Sequence, residues 1–206
     1  LNTTGQGENV YDGVSGLNDN STQKVQTIGK RDLRMSRKNP WNERGYWSWY
    51  FDGSGVINTP TGDSNFLMGS NDFTIETWVL PDQFTGNILI SDHGSQGGAA
   101  SCIPFYWVSG KWVLYITTAG GQWNTVSGGK HYTGGQIGRW QHLCLERVSN
   151  TLYLYYNGKL TGTNGISGSV ATGIQGVYLG GATTNASHFF GYMLSLIHIS
   201  EPTRRI

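Results

Sequence analysis

Residues Arg139–Thr161, RWQHLCLERVSNTLYLYYNGKLT, decide the fold of this chain. Asn157-Gly158 is a strong signal for a two-residue hairpin, because both residues tolerate the positive φ of a type I′ turn. Ser149-Asn150 marks a second tight turn. Between the turns the side chains alternate, as in half-buried strands rather than a helix. Leu143 and Leu145 lie on one face, and the opposite face carries His142, Cys144 and Glu146. The stretch therefore predicts three antiparallel strands.

The composition predicts an all-β chain. Of 206 residues, 31 are glycine, 13% are aromatic and only 13% are charged. Many turn formers and aromatics with few charges are typical of short strands joined by loops. The net charge of +1 gives no reason to expect a nucleic-acid partner. No run of about 20 apolar residues is present, so no membrane-spanning segment is predicted either.

Further strands are predicted on both sides of the opening stretch. Phe73–Leu80 is the clearest central strand, and Ile103–Val108 with Trp112–Thr117 form a hairpin. Ala119–Gly135 is predicted to be a long polar loop. About ten to twelve short strands and no substantial helix favour a two-sheet antiparallel β-sandwich of the jelly-roll kind.

The chain is predicted to have three parts. Residues 1–45 are polar and are expected to be a linker or the end of a preceding unit, with the basic run Lys30–Lys38 as a solvated connector. Residues 46–193 form the predicted sandwich. Leu194–Arg204, LSLIHISEPTR, resembles the translation of a transposase adapter used in DNA sequencing libraries. Residues 194–206 are therefore expected to be an artefact rather than natural sequence.

Six motifs in order resemble one known family. They are FDGSG, DFTIETWV, WQHLCLER, LYYNGKL, VYLGG and FFGYM. Together they resemble the laminin-G-like branch of the concanavalin A-like lectin/glucanase superfamily, which implies a jelly-roll sandwich. The phrase NPWNERGYWSWYFDGSG also resembles the lead-in of bacteriophage tail and virion proteins.

The same resemblance bears on metal binding and on catalysis. Calcium sites in the superfamily draw on acids near the first motif, where Asp52 is the one matched candidate and Val56 departs from the pattern. One carboxylate does not make a calcium site, so no cofactor is expected beyond this candidate. The acids of a glycosidase strand are also missing, because Glu76 and Glu146 each stand alone. The chain is therefore predicted not to be an enzyme, and whether Cys102 and Cys144 form a disulfide stays open.

Aromatic residues favour sugar binding. The candidate ligand-binding residues are Trp107, Trp112, Tyr115 and Trp123. The alternative is that these rings fill the core or cover its edges. The sequence thus predicts a non-catalytic recognition module for a glycan or cell-surface polysaccharide, within a virion or extracellular protein and beside other domains of that protein. Two alternatives are a structural virion domain that binds no glycan and a divergent polysaccharide-cleaving enzyme.

Overall fold

The computed structural model of the chain describes residues 26–28, 34–41, 46–54, 56–58, 68–83, 88–93, 101–118, 130–170, 177–181 and 188–200. In these ranges no helix is long and apolar enough to cross a membrane. The strands are β1 Gln26–Ile28, β2 Arg34–Ser36, β3 Ser48–Asp52, β4 Val56–Asn58, β5 Phe73–Pro81, β6 Ile88–His93, β7 Ser101–Val108, β8 Lys111–Ile116, β9 Lys130–Gly134, β10 Gln141–Val148, β11 Thr151–Tyr156, β12 Lys159–Gly165, β13 Val177–Leu179 and β14 Phe190–Ser200.

These strands form two sheets of seven each. The first sheet has the order β1-β4-β13-β6-β7-β8-β9, and the second has the order β12-β11-β10-β5-β14-β3-β2. Neighbouring strands in both sheets pair antiparallel. The predicted two-sheet antiparallel sandwich is confirmed.

The opening stretch forms the predicted meander β10-β11-β12. Asn157 and Gly158 have the positive φ expected of a type I′ turn, 49° and 75°, and in the Ser149-Asn150 turn the positive φ, 54°, is at Ser149. Leu145 lies opposite Leu154 on β11 and opposite Ile75 on β5. The meander therefore forms three neighbouring strands at one edge of the second sheet, and β10 also pairs with β5.

The core lies between the inner faces of the two sheets. The first sheet contributes Phe105, Trp112 and Leu114, and the second contributes Leu143, Leu145 and Leu152, all fully buried. Burial of one such side chain stabilises the fold by about 1.5–3 kcal/mol. The alternation seen in the sequence is thus the alternation between this core and the outer face.

Strand β9 was not predicted. It lies in the segment that was expected to be a polar loop, and it pairs with β8. Of its side chains, Tyr132 is buried in the core, where its ring lies 5.4 Å from that of Phe105. In the sequence KHYTG, Tyr132 is the one aromatic residue, which gives too weak a periodic signal for a strand to be predicted.

Strand pairing extends beyond both predicted boundaries of the sandwich. Strands β1 and β2 precede residue 46, and β14 continues past Leu194 with a register shift between Leu194 and Leu196. After that shift Ile197 pairs with Glu76 and His198 pairs with Ile75. The three-part division, including the artefact from residue 194, stays a prediction.

A buried arginine joins three connecting segments at one end of the sandwich. Arg147 is almost fully buried, and it donates three hydrogen bonds of 3.0 Å, from Nε to Ser149 O, from Nη1 to Gly69 O and from Nη2 to Gly168 O. Burial lowers the pKa of the guanidinium, and the Asp72 carboxylate acts in the opposite direction. The same carboxylate accepts a hydrogen bond of 2.7 Å from the Ser149 backbone N–H.

We predict that Arg147→Met lowers the free energy of unfolding by about 2–4 kcal/mol, because three carbonyls lose their buried donor. Urea denaturation followed by tryptophan fluorescence measures this loss. The matched control is Arg139→Met, since Arg139 is exposed and its replacement should change stability by less than about 0.5 kcal/mol. Equal effects of the two substitutions would contradict the prediction.

Candidate functional site

The outer face of the second sheet carries a set of polar and aromatic side chains. The pairing of β5 with β10 places Trp78 opposite His142 and Glu76 opposite Cys144. The residues between them, such as Leu143 and Thr77, are buried on the inner face. Because neighbouring residues of a strand point to opposite faces, all four side chains share the outer face.

A cluster of rings, here called the aromatic platform, lies on this face. It consists of Trp41, Tyr46, Trp78 and His142. The Trp41 ring lies 5.1 Å from that of Tyr46 and 5.6 Å from that of Trp78, and the rings of Trp78 and His142 are 5.0 Å apart. Trp41 is 46% exposed and Tyr46 is 49% exposed. The platform therefore presents large apolar ring surface to solvent.

The exposed rings of the platform are held by a buried amide. Asn39 Oδ1 accepts a hydrogen bond of 3.1 Å from the Trp41 backbone N–H, and Asn39 Nδ2 donates to Arg37 O and Tyr46 O at 3.0 and 3.5 Å. Ser48 Oγ donates to Lys38 O at 2.6 Å. These bonds tie the segment before the sandwich to β3, so contacts within the chain set the positions of Trp41 and Tyr46.

A second ring cluster extends the same outer face. Tyr50 lies 4.8 Å from Tyr192 and 5.9 Å from Phe190, measured between ring centroids. The Lys38 ammonium lies 4.5 Å above the Tyr192 ring, in a cation–π contact. Burial raises the pKa of Asp82, and nearby Lys38 lowers it in part. This end of the face therefore carries one positive charge next to one carboxylate.

An acid–imidazole pair borders the platform. His142 Nε2 lies 3.2 Å from Glu76 Oε2, and the side chains are 17% and 35% exposed respectively. The two residues are 66 positions apart in sequence. The strand register brings them together beside Trp78 and leaves the carboxylate within reach of solvent.

Cys144 lies on the same face, but its thiol is expected to be unreactive. It is a free, buried thiol. Burial, with smaller contributions from Glu76 and Glu146, raises its pKa to about 12. Glu146 accepts a hydrogen bond of 3.2 Å from the Tyr155 hydroxyl. The disulfide to Cys102, which the sequence left open, is not formed.

The aromatic residues chosen from the sequence lie elsewhere. Trp112 is fully buried and Trp107 is 5% exposed, and their rings pack against each other in the core 5.2 Å apart. Tyr115 is partly exposed on the first sheet, 5.9 Å from Tyr106. Trp123 lies outside the described residues. Trp107 and Trp112 thus pack in the core, which was the alternative to ligand binding. Ligand binding by the four candidate residues stays a prediction.

Gln141 explains why Trp112 can be buried. Its Oε1 accepts hydrogen bonds from Trp112 Nε1 at 3.0 Å and from the Tyr156 hydroxyl at 3.1 Å. Its Nε2 donates to Gln136 O and Arg139 O. A buried indole N–H needs such a partner. No sequence pattern indicated that a glutamine of the second sheet would accept this hydrogen bond.

Asp52, the metal candidate, has a local partner. Its Oδ1 accepts hydrogen bonds from the Ser54 backbone N–H at 3.0 Å and from Ser54 Oγ at 2.5 Å. Among the described residues, no group of three or more His, Cys, Asp or Glu side chains could hold a metal ion. Calcium binding through Asp52 stays a prediction, and the observed contacts are those of a turn cap.

Sequence reasoning missed the aromatic platform. Trp78 and Glu76 occupy alternate positions of β5, so the strand pattern alone could have predicted that they share a face. Their proximity to His142 required the pairing of β5 with β10. Trp41 lies in the part that was expected to be a linker, where no periodic signal indicated a fixed position.

The two antiparallel seven-stranded sheets have the architecture of a lectin-like β-sandwich. A laminin G family model, described as the concanavalin A-like lectin/glucanases superfamily, matches residues 51–198, so the chain belongs to that superfamily. The resemblance found in the sequence motifs is confirmed. No curated protein sequence matches the chain.

Several solved structures share the fold. Domain 4 of the extracellular arabinanase AbnA from Geobacillus stearothermophilus, in complex with arabinotriose, has a TM-score of 0.61 and 18% identity, covering 85% of this chain and 81% of that one. The binding domain of Paraclostridial Mosquitocidal Protein 1 has a TM-score of 0.60 and 9% identity, covering 86% and 44%. A Trypanosoma rangeli sialidase mutant has a TM-score of 0.53 and 12% identity, covering 86% and 27%. This chain thus matches most of the arabinanase domain and less than half of the other two.

We predict that Cys144 resists alkylation in the native state. With its pKa raised to about 12, roughly one thiol in ten thousand is ionised at pH 8, and only the thiolate reacts. Iodoacetamide labelling, read by peptide mass spectrometry, should modify Cys144 rapidly in denaturant and negligibly in the folded chain. Equal labelling rates in the two states would contradict the assigned burial.

Proposed function

We propose that this chain is a non-catalytic carbohydrate-recognition module and that the aromatic platform is its binding surface. The observation that carries the proposal is the exposure of Trp41, at 46%, in a ring cluster that a buried amide holds in place. Sugars present C–H faces that pack on aromatic rings, and a few placed polar groups orient them. The platform offers the rings, and Glu76 with His142 offers the polar groups.

The comparisons support a binding role for the fold. The arabinanase domain is described in complex with arabinotriose, and the mosquitocidal protein fragment is described as a binding domain. At 18% and 9% identity these neighbours share the fold alone. The ligand of this chain therefore has to be argued from its own residues.

The location and context of the module are part of the proposal. The arabinanase is described as extracellular, and the lead-in around Trp41 resembles that of bacteriophage tail and virion proteins. Both support a module in a longer extracellular or virion protein that binds a cell-surface polysaccharide. A purely structural domain is the alternative, and it predicts no glycan affinity.

The first experiment is a glycan array with the full chain, followed by calorimetric titration of the strongest oligosaccharide. We predict that Trp41→Ala weakens binding at least about tenfold, a loss of about 1.4 kcal/mol. The fold should persist, because nearly half of the Trp41 surface is already exposed.

Trp47→Ala is the matched control. Trp47 has the same 46% exposure, and its ring contacts the Arg37 guanidinium at 5.0 Å. This variant should bind as the unmodified chain does. Equal losses from both substitutions would overturn the platform as the site, and no binding to any glycan would favour the structural alternative.

A further inference from the structure

We infer that Glu76 is the specificity-determining residue of the aromatic platform, and that it selects neutral saccharides with free hydroxyl groups over acidic saccharides. This inference rests on the proposed function, because it names the ligand class of the same surface. It is carried by the position of one carboxylate beside the rings and by the charges around it.

The position of Glu76 fits the size of a sugar ring. Glu76 and Trp78 lie two residues apart on the outer face of β5, a separation of about 6.6–6.8 Å along the strand. A pyranose that packs on Trp78 and Trp41 would therefore extend its ring hydroxyls toward the Glu76 carboxylate. The side chain is 35% exposed, so the carboxylate can be reached from solvent.

His142 fixes the carboxylate in that position. Its Nε2 lies 3.2 Å from Glu76 Oε2, and its ring packs against Trp78. The contact holds one oxygen of the carboxylate and limits the rotation of the other. An ionised carboxylate only accepts hydrogen bonds, so its natural partners are hydroxyl donors, and bonds to a charged acceptor are stronger than neutral ones.

The charges on this face disfavour an acidic ligand. A sugar carboxylate or sulfate close to Glu76 would bring two negative charges together, which reduces affinity. Among the described residues, Arg37 lies over Trp47, and Lys38 lies over Tyr192 in the second ring cluster and interacts with Asp82. The Lys38 charge is thus partly offset and is not centred on the platform.

The test compares three ligands on four forms of the full chain. The ligands are the strongest neutral oligosaccharide from the array, the same compound methylated at its hydroxyl groups, and its uronic-acid counterpart. The forms are the unmodified chain, Glu76→Gln, Glu76→Asp and Glu146→Gln. Glu146 is the matched control, because it lies on the same outer face but is hydrogen-bonded to Tyr155.

The unmodified chain should prefer the neutral ligand over both other ligands by at least about tenfold. Glu76→Gln should weaken neutral binding at least about tenfold and reduce the preference over the uronic acid to within about threefold, because the negative charge is gone. Glu76→Asp should lose neutral affinity through its shorter reach but still reject the acid. Glu146→Gln should behave as the unmodified chain.

Other results overturn the inference. If Glu76→Gln keeps the full preference, or if the unmodified chain favours the acidic ligand, Glu76 does not set specificity, even when Trp41→Ala abolishes binding and the proposed function holds. If Trp41→Ala has no effect, the platform itself is wrong. Absence of all glycan binding overturns both proposals. Circular dichroism of each variant checks that the fold is retained, so that a change in affinity can be assigned to the substituted side chain.

Discussion

The register of β10 between β5 and β11 is the constraint on which the rest of the second sheet depends. It buries Leu143 and Leu145 completely and leaves His142 and Glu146 outside. A slip by one residue would expose both leucines, at a cost of about 1.5–3 kcal/mol each, and would bury charged side chains instead. The same register places Trp78 opposite His142, so core packing sets the positions of these two platform residues.

The aromatic platform combines two parts of the chain. Two of its residues, Trp78 and His142, belong to the sandwich that the family model matches over residues 51–198. Its exposed rings, Trp41 and Tyr46, precede that range and are tied down by Asn39. The superfamily fold thus supplies a rigid sheet, and the preceding segment of this chain supplies the ring surface. A site of this kind is a property of the chain rather than of the fold.

Local patterns were sufficient for the fold and insufficient for the site. Alternation and turn residues predicted the meander, the hairpin of β7 and β8, and the opposite faces of Leu143 and His142. The partner of His142 could not be predicted, since Glu76 lies 66 residues away and only sheet pairing brings it near. Trp112 was a candidate for ligand binding because it lies near a turn, yet its indole N–H donates a hydrogen bond to Gln141 inside the core. Burial of a large polar-tipped ring depends on such distant partners, which a periodic pattern does not contain.

The aromatic platform can be tested directly by a ¹H–¹⁵N correlation titration that follows the tryptophan indole N–H signals, assigned by substitution, as the strongest oligosaccharide is added to the full chain. If the platform binds the sugar, the Trp41 and Trp78 signals shift together and those of Trp107 and Trp112 stay unchanged, because the latter two rings lie in the core. Shifts of Trp107 and Trp112 with Trp41 and Trp78 unaffected would contradict binding at the platform.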